Sequence, residues 1–385
     1  MFHRSINLPT NRSCILFGAR STGKSTLVRA RFEASETRTY NLLEADTEER
    51  FSRDPRALER EVLALPASIR HVVVDEVQKV PRLLDGVHNL IETHKVPQAF
   101  LLTGSSARRL KAGGANLLAG RASIRNLFPL IREELGAAYD LDRALRFGGL
   151  PPVWNAEDDA ARADFLRSYA QGYLREEIRA EQVVRSLDPF RRFLEVAAQG
   201  SGKVLNYARI ARDVGSDPKT IQAWYGVLED TLLGCHVDAF HTSVRKQLRQ
   251  APKFYLFDTG VARAMGHLLN VPLNPGTSYY GELFEQLVIA ELFARNAYSQ
   301  LDWRLAYLQT KAGLEIDLVL SRPGKPLALV EIKSTAQVRE DHVAALRAFE
   351  GDFPEAELYL LSRDPHPQRF GRIQALPWEA GVQVL

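Results

Sequence analysis

Short apolar runs ending in glycine or acidic residues alternate with stretches of helical spacing over the first 130 residues. Cys14 to Phe17 is the first run, and Leu27, Val28 and Phe32 follow it with helical periodicity. Residues 37–45 (TRTYNLLEA) read as a second strand, and 55–65 as a helix with Leu58, Val62 and Leu65 on one face. His71-Val72-Val73-Val74 is a β-branched run closed by Asp75 and Glu76, and Ala99–Leu102 and Ala122–Leu127 supply two more strands. Continuous rather than alternating apolar runs belong to parallel strands covered on both faces, so the pattern predicts an α/β layer.

Beyond residue 130 the period changes. Ile131–Phe147 reads as a helix, Gly148-Gly149-Leu150-Pro151-Pro152 breaks it, and helical spacing resumes over Ala160–Val184. Phe190–Gln199 and Asn206–Val214 are two short helices. A Gly215-Ser216 turn and an Asp217-Pro218 cap then open a third over Lys219–Leu232, with Ile221, Trp224, Tyr225, Leu228 and Leu232 on its inner stripe. Glu282–Arg295 is apolar almost all round. Glu315–Leu320 and Leu327–Lys333 alternate as two strands about an Arg322-Pro323-Gly324-Lys325 turn.

At 385 residues the chain exceeds one core, and 45% hydrophobic with 25% charged residues is ordinary for a soluble protein. No apolar run is long enough to span a bilayer and residues 1–18 lack a signal-peptide pattern, so a cytoplasmic protein with no membrane partner is expected. Cys14 and Cys235, far apart, are no disulfide framework or zinc cluster. The net charge of +3 identifies no partner. Between Ala239 and Arg263, however, five basic residues face one acidic residue.

Gly18-Ala19-Arg20-Ser21-Thr22-Gly23-Lys24-Ser25 satisfies G-x-x-x-x-G-K-[ST] between a strand and a helix, and Thr26 continues it. Such a loop turns its amides toward the phosphates of a nucleotide, here ATP. Lys24 would reach the β and γ phosphates and Ser25 would ligate Mg²⁺. Asp75 is expected to hold the same ion, and Glu76 to polarise the attacking water. Ser105, in Thr103-Gly104-Ser105-Ser106, is either a γ-phosphate sensor or part of a helix cap before Ala107–Lys111. Arg121 is a candidate arginine finger reaching a neighbouring subunit, which would require a homo-oligomer. GARSTGKST, VVVDEVQKVP, LLTGSS, AGR and FPL together resemble prokaryotic AAA-type ATPases of the AAA_14 plus DUF4143 architecture. The resemblance implies a P-loop core of the additional-strand class followed by a helical lid, with Gly23, Lys24, Ser25, Asp75 and Glu76 matching its nucleotide motifs.

Two short helices, a glycine turn and a basic hairpin suggest a winged helix-turn-helix, with Lys219, Arg245, Lys246, Arg249 and Lys253 as phosphate contacts to DNA; a packing module between domains fits as well. In the last third, a carboxylate on a buried helix needs a partner or a metal, and the helical wheel does not rank Glu285 against Glu291. Period two puts Glu331 and Lys333 on one face, where Asp317 meets them if the hairpin pairs. Hard oxygen ligands there suit Mg²⁺ or Mn²⁺, with Lys333 activating a water. The D…ExK strands after a glutamate-bearing helix resemble the PD-(D/E)xK nuclease superfamily, which implies metal ligation by Glu285, Asp317 and Glu331 and branched DNA, such as Holliday junctions, as substrate.

The expected organisation is an ATPase core over 1–130, a helical lid or connector over 131–185, a winged helix over 186–263 and an α/β nuclease-like domain over 264–385. The expected function is ATP hydrolysis coupled to binding or remodelling of DNA, with the nuclease-like domain either holding the DNA or cutting it by metal-dependent cleavage. The alternative is a nucleotide-dependent signalling or defence switch whose C-terminal domains bind proteins.

Overall fold

In the computed structural model, which describes residues 2–106, 118–181, 187–241 and 250–385, the run Cys14–Phe17 becomes β1 (Cys14–Gly18), fully buried along its length. β2 (Thr37–Asn41), β3 (His71–Asp75), β4 (Ala99–Gly104) and β5 (Ser123–Leu127) complete a five-stranded sheet in the order β2-β3-β4-β1-β5, every pairing parallel. Val72, Val73 and Val74 are at most 1% exposed, as a central parallel strand requires. Ile15, Phe17, Phe100 and Leu102 share their core with Leu58, Val62, Leu83 and Leu90 from the helices Ala57–Leu63 and Leu83–Glu92. β4 lies between β1 and β3, so the carboxyl ends of the three strands, Gly18, Asp75 and Gly104, meet at one edge. Ligands of open α/β sheets bind at that edge.

Two local readings change. Residues 37–45 do not form one strand. β2 ends at Asn41, whose side-chain oxygen accepts the amide of Leu43 at 3.1 Å, and the helix Ala45–Arg53 follows. Ile131–Phe147 is not one helix either: Arg132–Leu135 stops at Gly136, at φ 52°, and Leu141–Phe147 restarts on Asp140, whose carboxylate accepts the amide of Arg143 at 2.7 Å.

The chain divides into two compact units. Met1–Leu135 with Gly226–Leu233 carries the parallel sheet, and Gly136–Tyr225 with Gly234–Leu385 forms the second. The second unit holds an eight-stranded mixed sheet in the order β12-β13-β11-β10-β9-β8-β6-β7. Its strands are β6 (Gly234–Ala239), β7 (Lys253–Leu256), β8 (Arg304–Gln309), β9 (Glu315–Ser321), β10 (Ala328–Lys333), β11 (Glu357–Ser362), β12 (Gln368–Phe370) and β13 (Ile373–Pro377). β6 pairs with β8 in parallel, so the hairpin β6–β7 extends the sheet across the boundary expected at residue 263. Helices Leu187–Gln199, Tyr207–Val214 and Pro218–Asp230 precede that hairpin; Phe190, Phe193, Trp224 and Tyr225 pack as a ring cluster with Phe254 of β7. The Gly148-Gly149 break is clamped by Asp258, which accepts the amides of Gly149 at 2.7 Å and Val261 at 2.8 Å. A Cβ on Gly260 would lie 2.0 Å from the Phe147 carbonyl, so only glycine admits this approach. Among the described residues no helix is long and apolar enough to cross a membrane.

Candidate functional site

The loop after β1 has the curvature its glycines permit. Gly23 sits at φ 93°, and a Cβ on Gly18 would fall 2.8 Å from the Leu127 carbonyl. Thr22, fully buried, donates its hydroxyl to the Ala19 carbonyl at 2.8 Å and so closes the turn. The helix Lys24–Arg31 starts at its end, presenting its amino-terminal amides to the loop. Lys24, 6% exposed, has Nζ 2.8 Å from the Gly18 carbonyl and 3.8 Å from Glu76 Oε1. Ala19 is buried, while Arg20, Ser21 and Thr26 are exposed.

Ser25 and the carboxylates come together across the sheet. Ser25 Oγ donates to Asp75 Oδ2 at 2.7 Å, and Thr103 donates to the other oxygen of Asp75. Thr103 Oγ1 in turn accepts the Glu76 amide at 3.0 Å and pins a backbone at φ 61°, a conformation a non-glycine residue holds only when its surroundings impose it. A hydroxyl and a carboxylate in contact are the hard oxygen donors Mg²⁺ takes alongside phosphate, so this pair fits the ion.

Ser105 reaches the site indirectly. Gln78 Nε2 donates both to Glu76 Oε2 and to Ser105 Oγ, the latter at 3.1 Å. Gln78 is 4% exposed, and nothing in the sequence marks it beyond its place two residues after Glu76. Arg4 is a second residue sequence reasoning missed. Its guanidinium donates to the Thr22 carbonyl at 2.9 Å and the Phe128 carbonyl at 2.5 Å, and pairs at 3.0 Å with Glu134, whose side chain is fully buried. Burial raises the Glu134 pKa, and Arg4 and the amides of Ser5 and Ile131 oppose the rise. Arg121 pairs with Glu92 and donates to the Ala119 carbonyl at 3.0 Å. The Ala107–Lys111 segment lies outside the described residues.

A second charged cluster lies in the other unit. Asp317 on β9, Glu331 on β10 and Glu285 on the helix Ser278–Ser299 approach closely enough that Asp317 raises the pKa of both glutamates and Glu285 raises that of Glu331. The β9–β10 ladder runs to Val330↔Leu318; beyond it the Ile332 amide donates to Asp317 Oδ2 at 2.7 Å. Glu331 is ion-paired with Lys333, whose side chain is 39% exposed. Between the helix wheel's two candidates, Glu285 is the one in this group, its Oε1 accepting from Tyr255 OH at 2.6 Å.

Lys253 corrects the reading of a wing residue touching DNA. It is 3% exposed, ion-paired with Glu315 and 3.7 Å from Glu285 Oε1, because period two on β7 turns Lys253 and Tyr255 to the same face as the carboxylates. Arg245, Lys246 and Arg249 lie outside the described residues, and Lys219 is exposed with its amide capped by Asp217 at 3.0 Å. Counting Glu315, four carboxylates face two ammoniums. Burial, then Asp317, pushes Glu285 up to about 7 and Glu331 up to about 8. Burial alone would lower the Lys253 pKa, but Glu285 and Glu315 outweigh it and hold it above the ordinary lysine value. Among the described residues no three His, Cys, Asp or Glu side chains are grouped to hold a metal ion, so the arrangement lends no support to Mg²⁺ or Mn²⁺ on Glu285, Asp317 and Glu331. Each carboxylate has a protein partner instead.

A model of the AAA domain matches residues 10–136, and models of two domains of unknown function, DUF8612 and DUF4143, match residues 138–272 and 280–380. Uncharacterized proteins of Mycobacterium tuberculosis and Mycobacterium bovis are each 28% identical over 327 residues, covering 84% of this chain and 70% of theirs. One from Haemophilus influenzae is 22% identical over 308 residues, 73% of this chain and 74% of its own. Among solved structures, a chain in a structure of Drosophila ORC bound to AT-rich DNA and Cdc6 overlays 66% of this chain and 84% of its own at 9% identity and a TM-score of 0.23. The AAA match spans the phosphate loop, Asp75, Glu76 and the strand between them, and with the parallel sheet it gives the chain the architecture of an AAA-type, nucleotide-dependent ATPase.

Proposed function

We propose that the chain hydrolyses ATP at the edge of its parallel sheet and couples turnover to binding or remodelling of DNA, branched DNA in particular. The observation that supports the first half most strongly is the hydrogen bond of Ser25 to Asp75 beside the ion-pair approach of Lys24 to Glu76. The amides of residues 18–26 and the ammonium of Lys24 bind the phosphates, and Ser25 and Asp75 hold Mg²⁺, which when bound offsets their charge. Glu76 takes a proton from the water whose oxygen forms the new bond to the γ-phosphorus as the bond to the ADP oxygen breaks. Ser105 acts through Gln78 as the phosphate-sensing hydroxyl, and in a homo-oligomer Arg121, one-third exposed, is the arginine that leaves its pair with Glu92 for a neighbour's nucleotide.

The DNA half rests on the resemblance to winged-helix and nuclease-like folds, with Lys219 and the basic residues Arg245, Lys246 and Arg249 as phosphate contacts. Burial of Lys253 favours a second reading, a nucleotide-dependent switch whose other unit binds protein, because it removes one such contact. The measurement that separates them is ATP turnover with single-stranded, duplex and four-way DNA, with and without Mg²⁺. The first reading expects Mg²⁺-dependent turnover accelerated by DNA, most by the four-way form. Turnover indifferent to all three leaves the switch.

A further inference from the structure

The carboxylates of the second unit gather about a buried ammonium. Lys253 Nζ lies 3.7 Å from Glu285 Oε1, is ion-paired with Glu315 and sits 3.4 Å from Tyr255 OH. The rings of Tyr255 and Tyr307 wall it in, their centroids 5.9 and 5.4 Å from the ammonium. Tyr307 is itself fixed, its hydroxyl donating to the Ala251 carbonyl at 2.6 Å, and Tyr255 is fixed by Glu285 at 2.6 Å. This is a built cage: two rings, two carboxylates and a lysine 3% exposed. Beside it Glu331, 4% exposed, keeps a buried Oε2 with no hydrogen-bond partner, the mark of an acidic group whose counter-charge is only partly supplied.

We infer that Lys253 is the resident cation of this cluster, its ammonium neutralising Glu285 and Glu315 and keeping divalent metal from Glu285, Asp317 and Glu331. Like charges in a site shielded from water repel strongly, so ammonium and divalent ion exclude one another there. The consequence goes beyond the ATPase reading: the second unit holds its carboxylates as a lysine-bridged polar core and does not assemble a cleavage centre while Lys253 is in place.

The test is Mn²⁺ binding, followed by the electron-paramagnetic-resonance signal of the free ion, to the full-length nucleotide-free protein. Asp317→Asn serves as the reference and leaves any Mn²⁺ held by Ser25 and Asp75 in both arms. The wild type is expected to show no Asp317-dependent site tighter than about 1 mM. Lys253→Met is expected to gain one, at least about tenfold tighter, once the ammonium is gone. Wild-type binding that Asp317→Asn abolishes would overturn the inference, as would a folded Lys253→Met with no gain. Should Lys253→Met not fold, Lys253→Gln, which keeps a polar group against Glu315, replaces it under the same two criteria. A normal ATPase with a metal-binding wild-type cluster sinks this inference alone, and an inert ATPase sinks only the reading above.

Discussion

In the proposed mechanism turnover depends on Glu76, and its neighbours determine how. With its amide held by Thr103 and its carboxylate 3.8 Å from Lys24, it is placed to accept a proton rather than to bind nucleotide. Glu76→Gln is therefore expected to keep ATP affinity and lose about 10²- to 10⁴-fold in turnover, measured by single-turnover hydrolysis alongside nucleotide binding. Gln78, its amide donated to Glu76 and Ser105, orients Glu76. Gln78→Ala should lower kcat about tenfold with KM unchanged, whereas a loss of nucleotide affinity would place Gln78 in the binding surface. In the second cluster the sign of the pH effect follows from the raised carboxyl values. Glu285 and Glu331 bind protons more tightly folded than unfolded, so the stability they contribute is complete below the ordinary value of 4.5 and is lost as pH rises through about 7 and about 8. Thermal melts of the second unit's transition should fall between about pH 4.5 and about pH 8 and level off above it, and Glu331→Gln should flatten that fall.

The element that positions the phosphate loop from behind is the amino-terminal segment. Arg4 spans the Thr22 and Phe128 carbonyls and pairs with a fully buried Glu134, so removing its guanidinium strands a carboxylate away from water. Arg4→Ala should cost about 3–5 kcal/mol of stability in chemical denaturation and weaken nucleotide binding through a loosened Thr22, while Arg4→Ala with Glu134→Gln should recover part of the stability but not the binding. None of this was legible in the chain, because an arginine among polar neighbours has no pattern until a distant carboxylate buries it. Lys253 was misread for the same reason: in a basic segment it looks like surface, and only its pairing across the sheet with Glu315 turns it inward. What the sequence did show were elements whose own residues carry the signal. Cys14–Phe17 and Val72–Val74 are apolar on both faces, and the loop glycines are required by local backbone geometry. The helix Ala45–Arg53 escaped because Phe51 is its one buried side chain, too little to mark a face. Glu285 separated from Glu291 only once Tyr255 and Asp317 stood opposite it.

At the scale of the molecule, the units are not consecutive stretches of chain. The segment Gly226–Leu233 returns to the ATPase unit, where Leu232 packs on the core formed by the strands and by Leu83 and Leu90. A boundary drawn after the last strand of the parallel sheet therefore removes part of that unit's own core. A fragment ending at residue 135 would expose the apolar surface that Leu232, partly buried there, covers, in a domain whose net stability is of order 5–15 kcal/mol. Such a fragment is expected to melt several degrees below the first transition of the full chain and to bind nucleotide more weakly, since the loop between β1 and the helix Lys24–Arg31 takes its rigidity from the same core. Supplying residues 226–233 in the same polypeptide through a flexible linker should restore the melting temperature. Differential scanning calorimetry of the two fragments beside the full chain decides it. Equal melting of the short fragment and the full chain's first transition would mean that Gly226–Leu233 adds nothing to the ATPase core, and that this unit is complete at Leu135.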